Sequence, residues 1–486
     1  MRIALPLLVL LVSALPAAAA PPPEKPGAAL AALVLPPCDY KPDYWTPFFA
    51  LQAPLEKGDW AKVEGELEEL HASFERNHAC ENRMLRAFQS GFVMSDQLPA
   101  QLDRWVAARP SSWTAYTIRG AMWSQRMTTL RWAPGLRMSE EHWKQMSEWA
   151  ERATADLERA IELHPKAVVA HGSLMLVHRS FSAPEGVEAV YRRASKIDPL
   201  SVHVLVTALD SLQPNWGGRV EQVDAILAAA RLHEKDNPRI ARAYGYGDAA
   251  RAMALHAFRT TNRGERERII RLYTKALRYG EPGSDWHYRR ASKYEDQGDH
   301  AAAIADAEFA LAVDKGWERF WSIKAWSLLE LGRYDEALAV SREGLANAPD
   351  SSDLRWYEAE AFLRKADYAK AAKLFQAGVE HARSEHERAV HLRGLGSAYM
   401  QSGRYAEAEP VLTEATRLEQ WHVLTWNSLG EARWKLGRHA DAVPAYEEFL
   451  ARSEGEAWAE EQRMRAQEKI DLVRSGAAPP AHTQGR

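Results

Sequence analysis

The sequence lacks the short motifs that identify most catalytic sites. It contains no nucleophile elbow, no phosphate-binding loop and no HExxH helix for zinc. The nearest approach to a glycine-rich cofactor loop is Gly245-Tyr246-Gly247-Asp248, and no strand precedes it as such a loop requires. We therefore expect a turn between helices at this point, a chain that is not an enzyme, and no cofactor.

A basic stripe that could follow a phosphate backbone is also missing. The 62 Lys and Arg residues are balanced by 66 Asp and Glu residues, which leaves a formal net charge of −4. This balance argues against a nucleic-acid partner.

Apolar runs are short everywhere except at the N-terminus. Met1 and Arg2 precede an apolar stretch and then the small residues Ala17 to Ala20, the order found in a secretory signal peptide. We expect cleavage after Ala19, because proline directly after the cut is poorly tolerated. The alternative is an uncleaved anchor, although the run falls short of the roughly 20 residues that span a bilayer. We expect no later membrane span, and an exported chain that is periplasmic or secreted.

Cysteine is scarce, since only Cys38 and Cys80 are present. In an oxidising compartment these two residues could form a disulfide, which would stabilise the fold by about 4 kcal/mol. The alternative is two unrelated buried thiols. Leu35-Pro36-Pro37 does not resemble the small-residue box before a lipidated cysteine, so a lipoprotein is not expected.

Composition predicts an all-α protein. Ala, Leu, Glu and Arg dominate at the expense of β-branched residues, and 486 residues are too many for one core. Several domains or an extended array of repeats would accommodate this length.

A period of 34 residues supports the array. One alanine column comprises Ala303, Ala337, Ala371, Ala408 and Ala442, with a three-residue excess before Ala408. A turn residue stands five positions earlier: Gly298, Gly332, Ala366, Gly403 and Gly437. A small residue stands twelve positions earlier: Ala291, Ala325, Ala359, Gly396 and Gly430. Small residues let helices cross closely and glycine ends a helix in a left-handed turn, so each period predicts two antiparallel helices.

Segments such as Leu331-Gly-Arg-Tyr-Asp-Glu-Ala-Leu and Ser402-Gly-Arg-Tyr-Ala-Glu-Ala-Glu resemble the core of the tetratricopeptide-repeat family. The resemblance implies a right-handed α-solenoid of helical hairpins. Five clear repeats begin near Ser284, Glu318, Ser352, Ala389 and Val423, and a degenerate one begins near Ala250.

The first half carries a degenerate form of the 34-residue repeat, because Pro165 and Pro199 are again 34 residues apart. With its Pro214-Asn-Trp-Gly-Gly218 loop, this region is similar to a bacterial domain of unknown function that accompanies tetratricopeptide repeats. The predicted organisation is a signal peptide (1–19), a Pro/Ala-rich tether (20–43), a divergent helical domain (44–249), the repeat array (250–454), a capping helix (455–474) and a disordered tail (475–486).

Two residue clusters could suggest chemistry. His164, His171 and His178 are spaced by seven residues; His171 and His178 share a helical face but are about 10.5 Å apart in rise, too far to bind one metal ion. The five-residue spacing of His381, His386 and His391 shares no face. We therefore expect no metal site.

Eight tryptophans between Trp45 and Trp149 predict core packing, with an exposed patch around Trp132, Trp143 and Trp149 as the alternative.

The resemblance implies a concave groove on the first helices of the repeats, where a partner protein or peptide would bind. Transferred to this sequence, the groove comprises Tyr288, Trp326, Leu329, Trp356, Leu363, Arg364, Arg393, Met400, Asn427, Trp434 and Lys435. Tryptophans would anchor the partner, and Arg364 and Arg393 would orient it. Two alternatives stay open: an enzyme with its site in the N-terminal domain, and a structural spacer whose groove tryptophans pack shut.

Overall fold

The computed structural model describes residues 51–90, 95–131, 138–256, 262–279, 285–313 and 315–476. Throughout these ranges the chain forms α-helices and short 3-10 turns and no strand, which confirms the all-α prediction. The chain divides into two compact units, residues 1–286 and 287–486. Several predicted features lie outside the described ranges. They are the signal peptide, the tether with its Cys38, the two tryptophans Trp45 and Trp132, and residues 477–486 of the tail.

Unit 1 contains twelve described helices before the helix that crosses the division. They are α1 (Gln52–Lys57), α2 (Trp60–Arg76), α3 (Glu81–Ser90), α4 (Leu98–Ala108), α5 (Trp113–Arg131), α6 (Glu140–Leu163), α7 (Val168–Ser180), α8 (Pro184–Ile197), α9 (Val202–Ser211), α10 (Val220–Arg231), α11 (Gly245–His256) and α12 (Arg263–Leu277). One continuous hydrophobic core runs through the unit. The glycines at 245 and 247 stand in the first turn of α11, so the predicted turn between helices is a helix start.

Most described tryptophans of unit 1 belong to its core, as the packing interpretation predicted. Trp105 is fully buried and stacks on Trp60 with ring centroids 6.3 Å apart, while Trp123 stacks on Trp149 at 6.4 Å. Trp143 is 38% exposed and contacts Phe181. The tryptophan content therefore reflects mainly the packing of an irregular helical unit.

The remaining helices follow in pairs. They are α13 (Asp285–Glu295), α14 (His300–Val313), α15 (Glu318–Glu330), α16 (Tyr334–Asn347), α17 (Ser352–Arg364), α18 (Tyr368–His381), α19 (Glu385–Gln401), α20 (Tyr405–Leu418), α21 (Val423–Lys435), α22 (His439–Arg452) and α23 (Glu460–Arg474). From α15 to α22, each helix packs on the next along the chain, and the first helices of neighbouring pairs also touch. The division between the two units falls after Trp286, whereas the predicted start of the repeat array is residue 250.

The alanine column of the 34-residue period forms the centre of unit 2. All five alanines, from Ala303 to Ala442, are 0% exposed. The small residues twelve positions earlier also stand at close crossings. A Cβ atom added to Gly396 would lie 2.5 Å from Leu412 Cδ2, and one added to Gly430 would lie 2.6 Å from Tyr446 Cε1. The size restriction predicted from the sequence therefore arises from helix contacts.

The turn column adopts left-handed backbone at every position. Gly332, Gly403 and Gly437 have φ values of 73, 75 and 76°, and Ala366 has a φ of 60°. The residue after each turn position donates its backbone N–H to a carbonyl in the last turn of the first helix; one example is the Arg333 N–H, which donates to the Leu328 carbonyl at 2.9 Å. Ala366 therefore occupies a conformation that suits glycine.

The C-terminal end of unit 2 is covered by α23, which follows a 3-10 turn at Ala457–Ala459. Its Ala466 and Ile470 are buried against Tyr446 and Phe449 of the last pair. Among the described helices, none combines the length and the apolar character needed to cross a bilayer.

Candidate functional site

Unit 2 has a cavity on the first helices of three consecutive pairs. It encloses about 340 Å³ and is lined by Trp326 of α15, by Asp353, Trp356 and Tyr357 of α17, and by Val390 of α19. The three α17 residues follow i, i+3, i+4 spacing, which places them on one helix face. We call these five residues the aromatic cavity.

The rings of the aromatic cavity contact one another but leave it open. Trp326 lies 6.3 Å from both Trp356 and Tyr357 between ring centroids, and Trp356 meets Tyr357 edge to face at 5.4 Å. All three side chains are half-buried. Rings held at different angles around one space present both faces and edges to whatever enters it.

The charge around the aromatic cavity is acidic. Partial burial raises the pKa of Asp353, and the nearby carboxylates of Glu318 and Glu387 raise it further. Burial also raises the pKa of Tyr357, with Asp353 and Glu295 adding to the effect. A positive charge placed in the cavity would relieve this repulsion between carboxylates.

The two arginines that were expected to orient a partner already have intramolecular partners. Arg364 pairs with Glu330 at 2.8 Å and with Glu360 at 2.9 Å, and its guanidinium carbon lies 5.3 Å from the Trp326 ring centroid. Arg393 pairs with Glu419, and burial lowers its pKa. Their charges are therefore largely neutralised within the fold.

Three of the predicted groove residues are not available to a partner. Leu329 is 1% exposed, Leu363 6% and Trp434 5%. Each packs into a core cluster between helices, because the face of each first helix that the sequence pattern selected is turned partly toward its own repeat. The expectation that these residues stand on a solvated face is wrong.

The other predicted residues do not line the aromatic cavity. Tyr288 packs edge-on against Phe320 and beneath Arg319, whose guanidinium carbon is 4.6 Å from its ring centroid. Met400 and Asn427 are half-buried and Lys435 is exposed. The structure thus brings together Trp326 and Trp356 of the predicted set.

Sequence reasoning missed Asp353, Tyr357 and Val390. The i, i+4, i+7 pattern chosen for α17 began at Trp356, whereas the face lining the aromatic cavity extends one turn earlier to Asp353. The adjacent aromatic pair Trp356-Tyr357 was the available signal. Cys80 is 1% exposed, and because Cys38 lies outside the described residues their disulfide stays a prediction.

The histidines singled out by spacing do not converge. His171 is 1% exposed and its Nε2 donates to the Pro165 carbonyl at 3.0 Å, while the ring of His178 packs against Gly186. His391 is buried beside Ser352, His381 is exposed, and the exposed His386 pairs with the Glu419 carboxylate. These positions serve helix packing or face solvent.

Comparison with known proteins agrees with this architecture. Residues 324–386 and 393–457 match the family model described as tetratricopeptide repeat. Residues 50–203 match the model described as domain of unknown function (DUF4034). No curated protein matches the sequence.

Several solved structures align with the chain at low similarity. Yeast Tom70 aligns with a TM-score of 0.39 at 12% identity, covering 88% of this chain and 95% of Tom70. The Cut9–Hcn1 hetero-tetramer of APC/C gives 0.40 at 14%, covering 85% and 88%. A tetratricopeptide repeat protein from Parabacteroides merdae gives 0.37 at 16%, covering 58% and 98%. On its own repeats and family matches, the chain carries tetratricopeptide repeats within residues 324–457, and its residues 50–203 match a domain family of unknown function.

Proposed function

We propose that the chain is a non-catalytic scaffold that binds an extended segment of a partner protein in the aromatic cavity, with a basic side chain of that segment between the rings. The observation that carries this proposal is the open, acidic space lined by Trp326, Trp356, Tyr357 and Asp353. Tetratricopeptide-repeat proteins typically act by binding proteins, which supports the general class.

The chemistry of the cavity favours a cationic guest. Lysine or arginine placed over tryptophan or tyrosine rings gains about 0.5–2 kcal/mol from the ring quadrupole. Asp353 would add a charge-assisted contact at the edge, and Glu318 and Glu387 would add longer-range attraction. Arg364, although it lies on Trp326, is held by Glu330 and Glu360 and so contributes little opposing charge.

The open volume also bears on the two alternatives. A structural spacer needs tryptophans that pack shut, whereas a space of about 340 Å³ remains beside Trp326 and Trp356. An enzyme needs several ionisable groups converging in a pocket, and Asp353 is the one carboxylate among the described residues that line this cavity. We further propose that the chain acts outside the cytoplasm, because residues 1–20 have the composition of a signal peptide.

The test begins with a displayed library of random peptides selected on the full chain. We expect the selected peptides to be enriched in a central Lys or Arg flanked by apolar residues. Fluorescence anisotropy then gives the affinity of one selected peptide for the normal chain and for Trp356→Ala, which should bind about 30-fold more weakly, the loss typical of an interface anchor of about 2 kcal/mol.

Two further variants make the result specific. Asp353→Asn should reduce the preference for Lys over norleucine in the peptide while preserving apolar binding. Trp458→Ala removes a tryptophan that is 52% exposed and lies on the terminal 3-10 turn, so its affinity should match that of the normal chain. Equal affinity for Trp356→Ala and Trp458→Ala, with unchanged far-UV circular dichroism, would contradict the proposal.

A further inference from the structure

Three side chains that are distant in sequence meet at one point in unit 1. His71 and Glu75 stand on the last two turns of α2, and His164 caps the C-terminus of α6. Glu75 Oε1 lies 3.9 Å from His71 Nδ1 and 3.6 Å from His164 Nε2, and all three ligand-type atoms lie within 4.8 Å of one another. The α2 residues follow the i, i+4 spacing that places them on one face.

Hydrogen bonding fixes which atoms point into this space. His71 Nε2 lies 3.0 Å from the Lys166 carbonyl oxygen, and because a carbonyl only accepts, Nε2 carries the hydrogen. His71 Nδ1 is therefore the nitrogen with a free lone pair, and it faces the Glu75 carboxylate. A second group that orients a histidine in this way is a regular feature of metal sites.

The third candidate ligand atom is His164 Nε2. His164 Nε2 is withdrawn from solvent and has no hydrogen-bond partner among the described residues. Its 3.6 Å separation from Glu75 Oε1 exceeds a hydrogen-bond length. Two nitrogens and a carboxylate thus surround a space with no hydrogen bond formed across it among the described residues, and a bound cation would supply the partner that His164 Nε2 lacks.

The surroundings hold the imidazoles in place. The Trp113 ring stacks on His164 with centroids 4.5 Å apart and meets His71 edge-on at 4.9 Å. Both α2 and α6 end at this point, so the negative ends of two helix dipoles are nearby. The His71 side chain is 3% exposed, whereas Glu75 and His164 are each 30% exposed, which leaves a route for an ion from solvent.

We propose that His71 Nδ1, Glu75 and His164 Nε2 bind one divalent transition-metal ion, with Zn²⁺ as the best match. Two imidazoles and one carboxylate are a known zinc donor set that leaves a fourth position for water. Tetrahedral bonds of about 2 Å would bring the ligand atoms to about 3.3 Å from one another, so side-chain movements of about 1 Å complete the site. The bound ion would tie the end of α2 to the end of α6. Histidine spacing along the chain predicted no metal site, because spacing compares only histidines that are close together in the sequence.

The test uses the full chain produced without a polyhistidine tag and stripped with a chelator. Titration with Co²⁺ should produce visible d–d absorption that saturates at one equivalent, and Zn²⁺ should displace it. Glu75→Gln keeps the side-chain shape and should weaken binding at least 10-fold, as should His164→Asn. Glu69→Gln is the matched control, because Glu69 lies on the same helix in an exposed pair with Arg76.

A second readout guards against a variant that merely unfolds. Zn²⁺ should raise the melting temperature of the normal chain and of Glu69→Gln, and should leave that of Glu75→Gln unchanged, while all three share the same far-UV circular dichroism without metal. Equal Co²⁺ affinity of Glu75→Gln and Glu69→Gln, or no saturable absorption with the normal chain, would overturn the proposal.

Discussion

Replacing Ala366 with glycine should stabilise unit 2. Ala366 holds a φ of 60° at a turn where four other repeats have glycine at 73 to 77°. A left-handed conformation costs an L-residue about 1–2 kcal/mol, and the greater freedom of glycine in the unfolded chain offsets about 0.4–1 kcal/mol of the relief. The expected net gain in the free energy of unfolding is about 0.5–1 kcal/mol.

The reverse exchange at an equivalent turn provides a matched control. A Cβ atom added to Gly332 would meet no other atom within 4 Å, so Gly332→Ala tests backbone strain without a steric clash. This variant should lose about as much stability as Ala366→Gly gains. In a domain of this size, 1 kcal/mol moves the melting temperature by about 2–4 °C.

Urea unfolding followed by far-UV circular dichroism measures both changes, and hydrogen exchange can localise them to the junctions after α17 and α15. Opposite shifts of similar size would support the 34-residue register. A loss of stability in Ala366→Gly, or no effect in either variant, would refute the reasoning that these turns are equivalent.

Two further predictions test unit 2. Burial, with the nearby Asp296 adding to it, raises the pKa of Glu295 to about 7 from 4.5, against the hydrogen bond that Ser327 donates. The folded state then binds more protons than the unfolded state between these values, so stability should fall as pH rises through this window. Glu295→Gln should remove that fall and raise the unfolding free energy near pH 8 by up to about 3 kcal/mol, with little change near pH 4, as measured by urea unfolding at both values. Gly430→Ala should lose about 1–3 kcal/mol, because its Cβ would overlap the buried Tyr446 ring, and unchanged stability would show that the helices separate easily.

The repeating part of the fold could be predicted because the same requirements, for a small buried residue and for a left-handed turn, recur every 34 residues. Every alanine from Ala303 to Ala442 is fully buried, and every turn residue from Gly298 to Gly437 has positive φ. Residue size and backbone conformation are local properties, so they leave a direct trace in the sequence. The helices of unit 1 lack such columns, and their packing was predicted only in outline.

The candidate sites were less predictable because they depend on which way a helix face turns. Trp434 was expected in the groove but packs against Tyr446 with ring centroids 6.5 Å apart. Trp326 and Trp356, at positions assigned by the same rule, remain half-buried beside open space. Spacing along one helix identifies a face, but the neighbouring helix decides whether that face is covered. His71 and His164 illustrate a further limit, since their meeting depends on tertiary packing alone.

Occupancy of the aromatic cavity can be observed directly with 5-fluorotryptophan incorporated throughout the chain. The ¹⁹F signals are assigned by single Trp→Phe replacements, and a peptide selected on the normal chain is then titrated in. The signals of Trp326 and Trp356 should shift and saturate together, while the signal of the exposed Trp458 stays in place. Saturated peptide binding with Trp326 and Trp356 unchanged would contradict the central claim that the partner occupies this cavity.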